Sequence, residues 1–526
     1  MIIITTGEYK PVITDANKLN DNPVIIDSTK KIPVKGYSIS SKKINTGFDV
    51  EPIVPAQMIG EPLTKLYNAL VKIGMGTYTT PYGELWYNNL RSKEYSAGLR
   101  FKHLSSSSTL KDHGFAGFSD NELSLYGKKF LKEHSLVGNF DYARNVVHFY
   151  GYDTDLHTLN RGATEQRFNY FAANTQLISH YTKAERYNHD IKLSYYNLSD
   201  YYKSAENNIR ANGMVQTTIS KELFKVNAAV DYYNFRTAND TSDNTIITLN
   251  PNFIATGEKY RASLGVTAVM DVFVQSKFYF YPNVDLSYNV FENIIVPYVG
   301  ATGALKKNSF KSVTDENPFV LSSLTLNNTN KKYELFGGIR GTLSSTLAFN
   351  ARASYAAIDN LMMFVNDSKD LLGNRFDVIY DNSELLNIRG EISYQNREKL
   401  RINLRGEYFN YKMENEIRAW YKPQVEITLS ANYNLREKII VKADLFYVDV
   451  QYAKTYVADT TSITGTKVVA TELKGLFDAN LGVEYRYNKK LGFFINLNNI
   501  AGVRYNRWMN YPTQKLSVMG GLSYSF

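Results

Sequence analysis

Along most of this chain, apolar and polar residues take turns. From Val425 to Leu435, the residues Val425, Ile427, Leu429, Ala431, Tyr433 and Leu435 alternate with Glu426, Thr428, Ser430, Asn432 and Asn434. A period of two marks a β-strand whose two faces meet different surroundings. The same rhythm sets Ile402, Leu404, Gly406 and Tyr408 against Arg401, Asn403, Arg405 and Glu407, and Val284, Leu286, Tyr288 and Val290 against Asp285, Ser287 and Asn289. It starts near Leu66 and persists to the last residue, which predicts an all-β chain of about 22 antiparallel strands.

The connections between these strands differ in length. Short charged turns fall at Lys132–His134, Lys221–Glu222, Gly257–Lys259, Asn396–Lys399, Arg436–Lys438 and Asn488–Lys490. Longer polar loops are expected at Ser105–Asn121, Gly151–Gln166, Thr237–Asn244, Lys306–Lys332 and Ala458–Thr466. A soluble sandwich also alternates, but it does not sort short turns to one side and long loops to the other. A transmembrane antiparallel β-barrel does, with the short turns in the periplasm and the long loops outside. Closure follows, because each unpaired N–H or C=O facing hydrocarbon costs several kcal/mol. An even strand number keeps both barrel ends on one side.

Composition agrees. The chain has 526 residues, and Tyr (41) and Phe (28) dominate its large apolar side chains. The mean hydropathy is −0.33, and no window of about 18 apolar residues could make a spanning helix. A barrel tolerates that value because every second residue faces a wet lumen. The absence of cysteine excludes thiolate metal sites, disulfides and thiol catalysis. The net charge of +9 is scattered along the chain, without a basic block that would suggest nucleic acid.

The start of the chain is different. Residues 1–62 carry Pro11, Pro23, Pro33, Pro52, Pro55 and Pro62 and no sustained period, which predicts an extended, proline-broken arm ahead of a barrel over 63–526. Met1–Thr6 lacks the charged and apolar regions of a signal peptide. Export of a barrel requires such a signal, so one is expected upstream of this start.

The last strand offers Leu516, Val518, Gly520, Leu522, Tyr524 and Phe526 on one face. A terminal Phe after alternating apolar residues resembles the signal read by the outer-membrane barrel-assembly machinery: a free edge for strand addition and an aromatic anchor for the interface. Ahead of it stand Phe493–Ile500, then Val503–Trp508 and Tyr511-Pro512. This asparagine-rich strand, Tyr/Trp loop and glycine-containing final strand resemble the end of TonB-dependent receptor barrels, over residues 66–526. The resemblance implies an outer-membrane receptor with TonB or other envelope proteins as partners. It departs from the family in one respect. Such receptors carry a plug of well over a hundred residues before the barrel, and the short arm here predicts a plugless form. Ile3–Glu8 is faintly like the segment that engages TonB.

Other candidate chemistry has simpler explanations. Seven histidines fall in the first 200 residues; His148 near Asp153 and Asp155, or His189 beside Asp190, would suit acid–base work, but no nucleophile accompanies them. Asp240–Asn244 and Asp153–Asp155 are carboxylate-rich but lack calcium-loop spacing. Phe278–Tyr281, Trp420-Tyr421 and Tyr505 with Tyr511 read as membrane-interface girdles, while Trp508 suits either a girdle or a ligand-stacking loop. Gly337, Gly338, Gly341, Gly520 and Gly521 precede no helix and suit close packing within strands. No catalytic, cofactor or metal site is expected. The expected function is binding or transport of a solute at the outer membrane, with Arg401, Arg405, Glu407, Glu426 and Asn432 facing the lumen. The alternative is a barrel that acts as a structural or assembly scaffold in an outer-membrane complex.

Overall fold

A computed structural model describes residues 66–182, 186–458 and 466–526. The proline-containing arm, its Ile3–Glu8 stretch and the tip of the loop expected at 458–466 lie outside the described residues. Within them, 22 strands form a single antiparallel sheet. Each strand pairs with the next in sequence, from Ala69–Gly76 onward. The ring closes where that first strand meets the last, Ser517–Ser525, in a register running from Leu70 opposite Ser525 to Gly76 opposite Met519. Closure leaves no edge exposed, as a lipid setting demands.

Register explains the alternation. Leu404 stands opposite Leu429, which in turn faces Leu445, whereas Arg405 stands opposite Thr428. One face therefore collects Ile73, Leu249, Leu264, Val299, Leu335, Ile388 and Ile495, all exposed. The opposite face carries Glu84, Arg100, Lys102 and Glu122, which pair with one another across three strands at 3.1–3.3 Å. Apolar side chains left exposed on a closed wall gain from contact with lipid, and the inward polar ones satisfy each other and water.

Short and long connections are sorted as expected. The turn between Ala205–Ile219 and Glu222–Arg236 lies at the same end as that between Val425–Leu435 and Ile439–Val448, and both termini of the sheet share this end. The loops bounded by Val296–Lys306 and Thr329–Ser344, and by Leu491–Asn498 and Ser517–Ser525, lie at the other. Several expected loops are shorter than predicted: Phe118–Asn121 and Thr329–Lys332 are strand, and the loop expected at Thr237–Asn244 loses its second half. Thr241–Asn244 is strand, paired with Tyr233–Arg236. Its all-polar sequence hid this, because beyond the lipid a strand has no apolar face to display.

The longest strands, Leu347–Asn366 and Phe376–Asn396, have 20 and 21 residues, against the roughly 9–11 needed to span. Their surplus rises at the long-loop end. A bulge sits between Ile358 and Leu361, with Asn360 at φ 54°, a left-handed conformation that asparagine tolerates well. Past it, Met362, Met363, Phe364 and Val365 are all buried. Alternation stops here because these residues join a buried core with loop residues such as Trp508.

Candidate functional site

At the long-loop end the connections turn inward and pack on a common aromatic core. Trp420, Tyr421, Trp508, Tyr511, Phe364 and Phe376 are buried in it. Phe319 stacks on Tyr511 with ring centroids 3.8 Å apart, and Tyr150 meets the same ring edge-on at 4.8 Å. Trp508 lies 5.0 Å from Phe364 and 4.9 Å from Tyr421. Such rings gain both from burial and from their offset geometry. Expecting Trp420, Tyr421 and Tyr511 in a membrane girdle was therefore wrong. Girdle residues keep one face in lipid, and these bury theirs against each other. Of the Phe278–Tyr281 run, Phe278 and Phe280 are exposed, while Tyr281 is buried and donates to Asn330 at 2.7 Å.

Hydrogen bonds fix the loops to one another and to the wall. The Tyr511 hydroxyl donates to the Asn374 carbonyl at 2.5 Å, and Asn374 Nδ2 to the Phe149 carbonyl at 2.9 Å. Three carboxylates receive loop groups, Glu206 and Asp381 from the wall and Asp200 from the turn just past the strand Asn188–Ser199. Glu206 accepts from Phe310 and Lys311 at the start of a short helix, Phe310–Glu316. Asp200 accepts from Ser204 N–H at 2.7 Å and from the Ser322 hydroxyl. Asp381 accepts from Asn415 and Glu416 N–H at 3.0 and 2.8 Å. A loop brought into a bore must satisfy its amides, and fixed carboxylates do this strongly. Burial raises the Asp200 carboxyl above its usual range, opposed by its bonds to Ser322 and Ser204. Desolvation lowers the Lys307 ammonium, opposed by Glu206 and Asp271, and the cation lies 5.4 Å from the Tyr233 ring centre.

Two clefts of about 480 Å³ flank this core and share Arg507 and Trp508. The first is lined by Tyr150, Phe319, Trp508 and Tyr511, with Arg507 and Lys515 as its charges and no carboxylate. Asn499 also lines it, with its Oδ1 buried and without a hydrogen-bond partner. The second mixes Lys422, Lys474 and Arg507 with Glu316, Glu426 and Asp449.

The residues singled out from sequence are placed as follows. Arg401, Arg405, Glu407, Glu426 and Asn432 share the polar face, Arg401 opposite Asn432 and Glu407 opposite Glu426. Arg405 and Arg389 both pair with Glu407, the latter at 3.6 Å. Glu426 reaches the second cleft, whereas Arg401 and Asn432 lie near the short-turn end. Val518, Leu522, Tyr524 and Phe526 stand on the apolar face of the last strand, and Leu516 just before it. His148 lies 3.2 Å from the Thr164 hydroxyl and edge-on to Phe115; Asp190 accepts from Gln176 at 2.7 Å. Asp243 accepts from Tyr232 and Asn234, and Asp153 closes a turn onto Asp155 N–H. Among the described residues no group of three or more His, Asp or Glu side chains could hold a metal ion. Sequence reasoning missed Glu206, Asp200 and Asp381, since a lone acid within a strand or just past its end has no spacing to betray it.

No family model matches the chain, and no curated protein sequence does. Solved structures do match in fold. The pyoverdine outer membrane receptor FpvA from Pseudomonas aeruginosa superposes with a TM-score of 0.66 at 10% identity, over 88% of this chain and 79% of that one. The FrpB iron transporter from Neisseria meningitidis gives 0.67 at 10%, over 88% and 82%. The siderophore receptor PirA from Acinetobacter baumannii gives 0.67 at 9%, over 89% and 81%. The protein has the fold of an outer-membrane receptor barrel. The resemblance of its last strands to TonB-dependent receptor barrels holds at the level of that fold.

Proposed function

We propose that the protein is an outer-membrane receptor that captures an anionic, partly aromatic solute at its long-loop mouth and passes it toward the periplasm. The carrying observation is the first cleft. Arg507 and Lys515 line it without a carboxylate, and neither forms an ion pair among the described residues. Convergent cations in an apolar, aromatic pocket favour an anion with a flat apolar part. The receptors of like fold are named for siderophores and iron, which supports looking first among ferric chelates. Coupling to TonB, insertion by the barrel-assembly machinery, and residence in the outer membrane belong to the same reading, with Glu407, Arg405 and Glu426 lining the route and Arg401 and Asn432 nearer its exit.

The test is a fluorescence titration joined to bilayer conductance. Trp508 is one of three tryptophans and borders both clefts. A panel of ferric chelates and aromatic carboxylates should include one that quenches it, with R507A abolishing the response, and the unliganded barrel should pass little steady current. A wide, steady, ligand-insensitive pore would contradict receptor function. Unresponsive Trp508 together with stoichiometric co-purification of envelope proteins would favour the scaffold reading.

A further inference from the structure

The short-turn rim of the outer wall carries a feature that solute capture does not use. His134 opens the strand His134–His148 and stands opposite Ser179. Ser179 in turn donates to the His189 carbonyl at 3.1 Å and accepts its N–H at 2.7 Å. Two histidines thus flank a small serine in one row across three strands. Their rings lean over it until the centroids are 5.3 Å apart. They lie on the apolar side of the wall, since Leu136 and Ile191, two residues further along each strand, are exposed.

We infer that His134 and His189 form a two-imidazole site for a first-row transition-metal dication such as Zn²⁺ or Cu²⁺. Distance is the first argument. Imidazole nitrogens bind Zn²⁺ at about 2.0–2.1 Å in tetrahedral geometry, which puts two ligating ring centres roughly 5 Å apart. The second argument is orientation. His189 Nδ1 lies 3.3 Å from the Tyr187 carbonyl, and donation there fixes the tautomer that leaves Nε2 as a ligand. His134 Nε2 lies 3.2 Å from the Tyr181 hydroxyl, and Tyr181 packs edge-on to His134 at 5.4 Å. Arg186 covers the Tyr181 ring at 4.8 Å and pairs with Glu133 at 2.9 Å, which steadies the surrounding turn. With two protein ligands, water completes the shell. The site is therefore exchangeable, and a bound ion clips three neighbouring strands together at the rim.

The experiment uses the full chain in detergent. Zn²⁺ is titrated calorimetrically, and Cu²⁺ is followed by electron paramagnetic resonance for nitrogen hyperfine structure. The wild type should bind one equivalent with a two-nitrogen signature. H134Q and H189Q should each raise the Kd roughly tenfold or more, while H103Q and H180Q leave it unchanged. Heat-modifiable gel migration establishes that each variant is a folded barrel, and any that is not is replaced by the corresponding Asn variant. Unchanged affinity in folded H189Q, or equal losses in the two control variants, overturns the site.

Discussion

Glu206 and Phe310 are 104 positions apart, yet the Glu206 carboxylate accepts the Phe310 amide at 2.6 Å, and that of Lys311 at 3.1 Å. The first amides of a helix have no partner within it. A wall carboxylate satisfies two of them and opposes the positive end of the helix. The same carboxylate accepts the Tyr196 hydroxyl at 2.7 Å. This buried acid therefore ties the start of the loop Lys307–Asn328 to the wall.

E206A should release that loop while leaving the barrel closed. Hydrogen bonds to a charged group contribute about 1.5–3 kcal/mol each, so the loss of even one should accelerate amide exchange over 307–328 by one to two orders of magnitude. E206Q, which keeps an acceptor, should fall between. Uniform acceleration across the strands would instead assign Glu206 to barrel stability.

At the seam, Phe494 lies over two glycines. A Cβ on Gly521 would strike the Ile73 carbonyl and the Phe494 ring, and one on Gly74 would sit 3.0 Å from the Gly520 carbonyl and from that ring. Tyr82 completes the contact edge-on at 5.9 Å. G521V should therefore lower the temperature at which the folded gel band is lost, whereas G390V, with open space around its Cβ, should not. Overpacking of this kind costs about 1–3 kcal/mol. Equal melting of the two variants would show that the ring simply moves aside.

The loop core should also loosen in alkali. Burial raises the Tyr511 phenol well above its usual value of 10.0, and only the protonated form donates to Asn374. A group with a raised folded-state value contributes stability fully below its unfolded value and loses it as pH rises toward the folded one. Trp508 emission should thus shift above about pH 10, while strand circular dichroism holds. Y511F removes the hydroxyl and should flatten that response; an identical shift in Y511F would place the titrating group elsewhere.

The barrel was legible in sequence because lipid and water enforce a two-residue period strand by strand, and Val425–Leu435 displays it without exception. The same force explains what was not legible. Above the lipid nothing imposes alternation, so Thr241–Asn244 reads as loop though it is strand, and Met362–Val365 reads as an unbroken apolar run. Trp420 and Tyr511 carry the composition of a girdle, and only the three-dimensional return of the loops reveals that they form a core. Glu206 and Asp381 depend on partners 104 and 35 positions away, a relation no local window contains. Of the five proposed lumen residues, the alternation found a shared face, but it gave no sign that Arg389 of the neighbouring strand would join Arg405 on Glu407.

Phe526 separates assembly from stability. Its amide donates to the Ala69 carbonyl at 2.9 Å, and its carbonyl accepts from Asn68 at 3.2 Å. These seam bonds belong to the backbone and survive truncation of the side chain. The ring itself is exposed and touches Tyr524 edge-on at 4.8 Å, so it contributes little packing to the finished barrel. If the aromatic end, with Leu522 and Tyr524, serves recognition by the assembly machinery, F526A should slow insertion several-fold in a pulse-chase experiment. The melting temperature of the molecules that do insert should remain near wild type. Unaltered insertion kinetics would remove the recognition role, and a matching drop in melting temperature would reassign the ring to the stability of the wall.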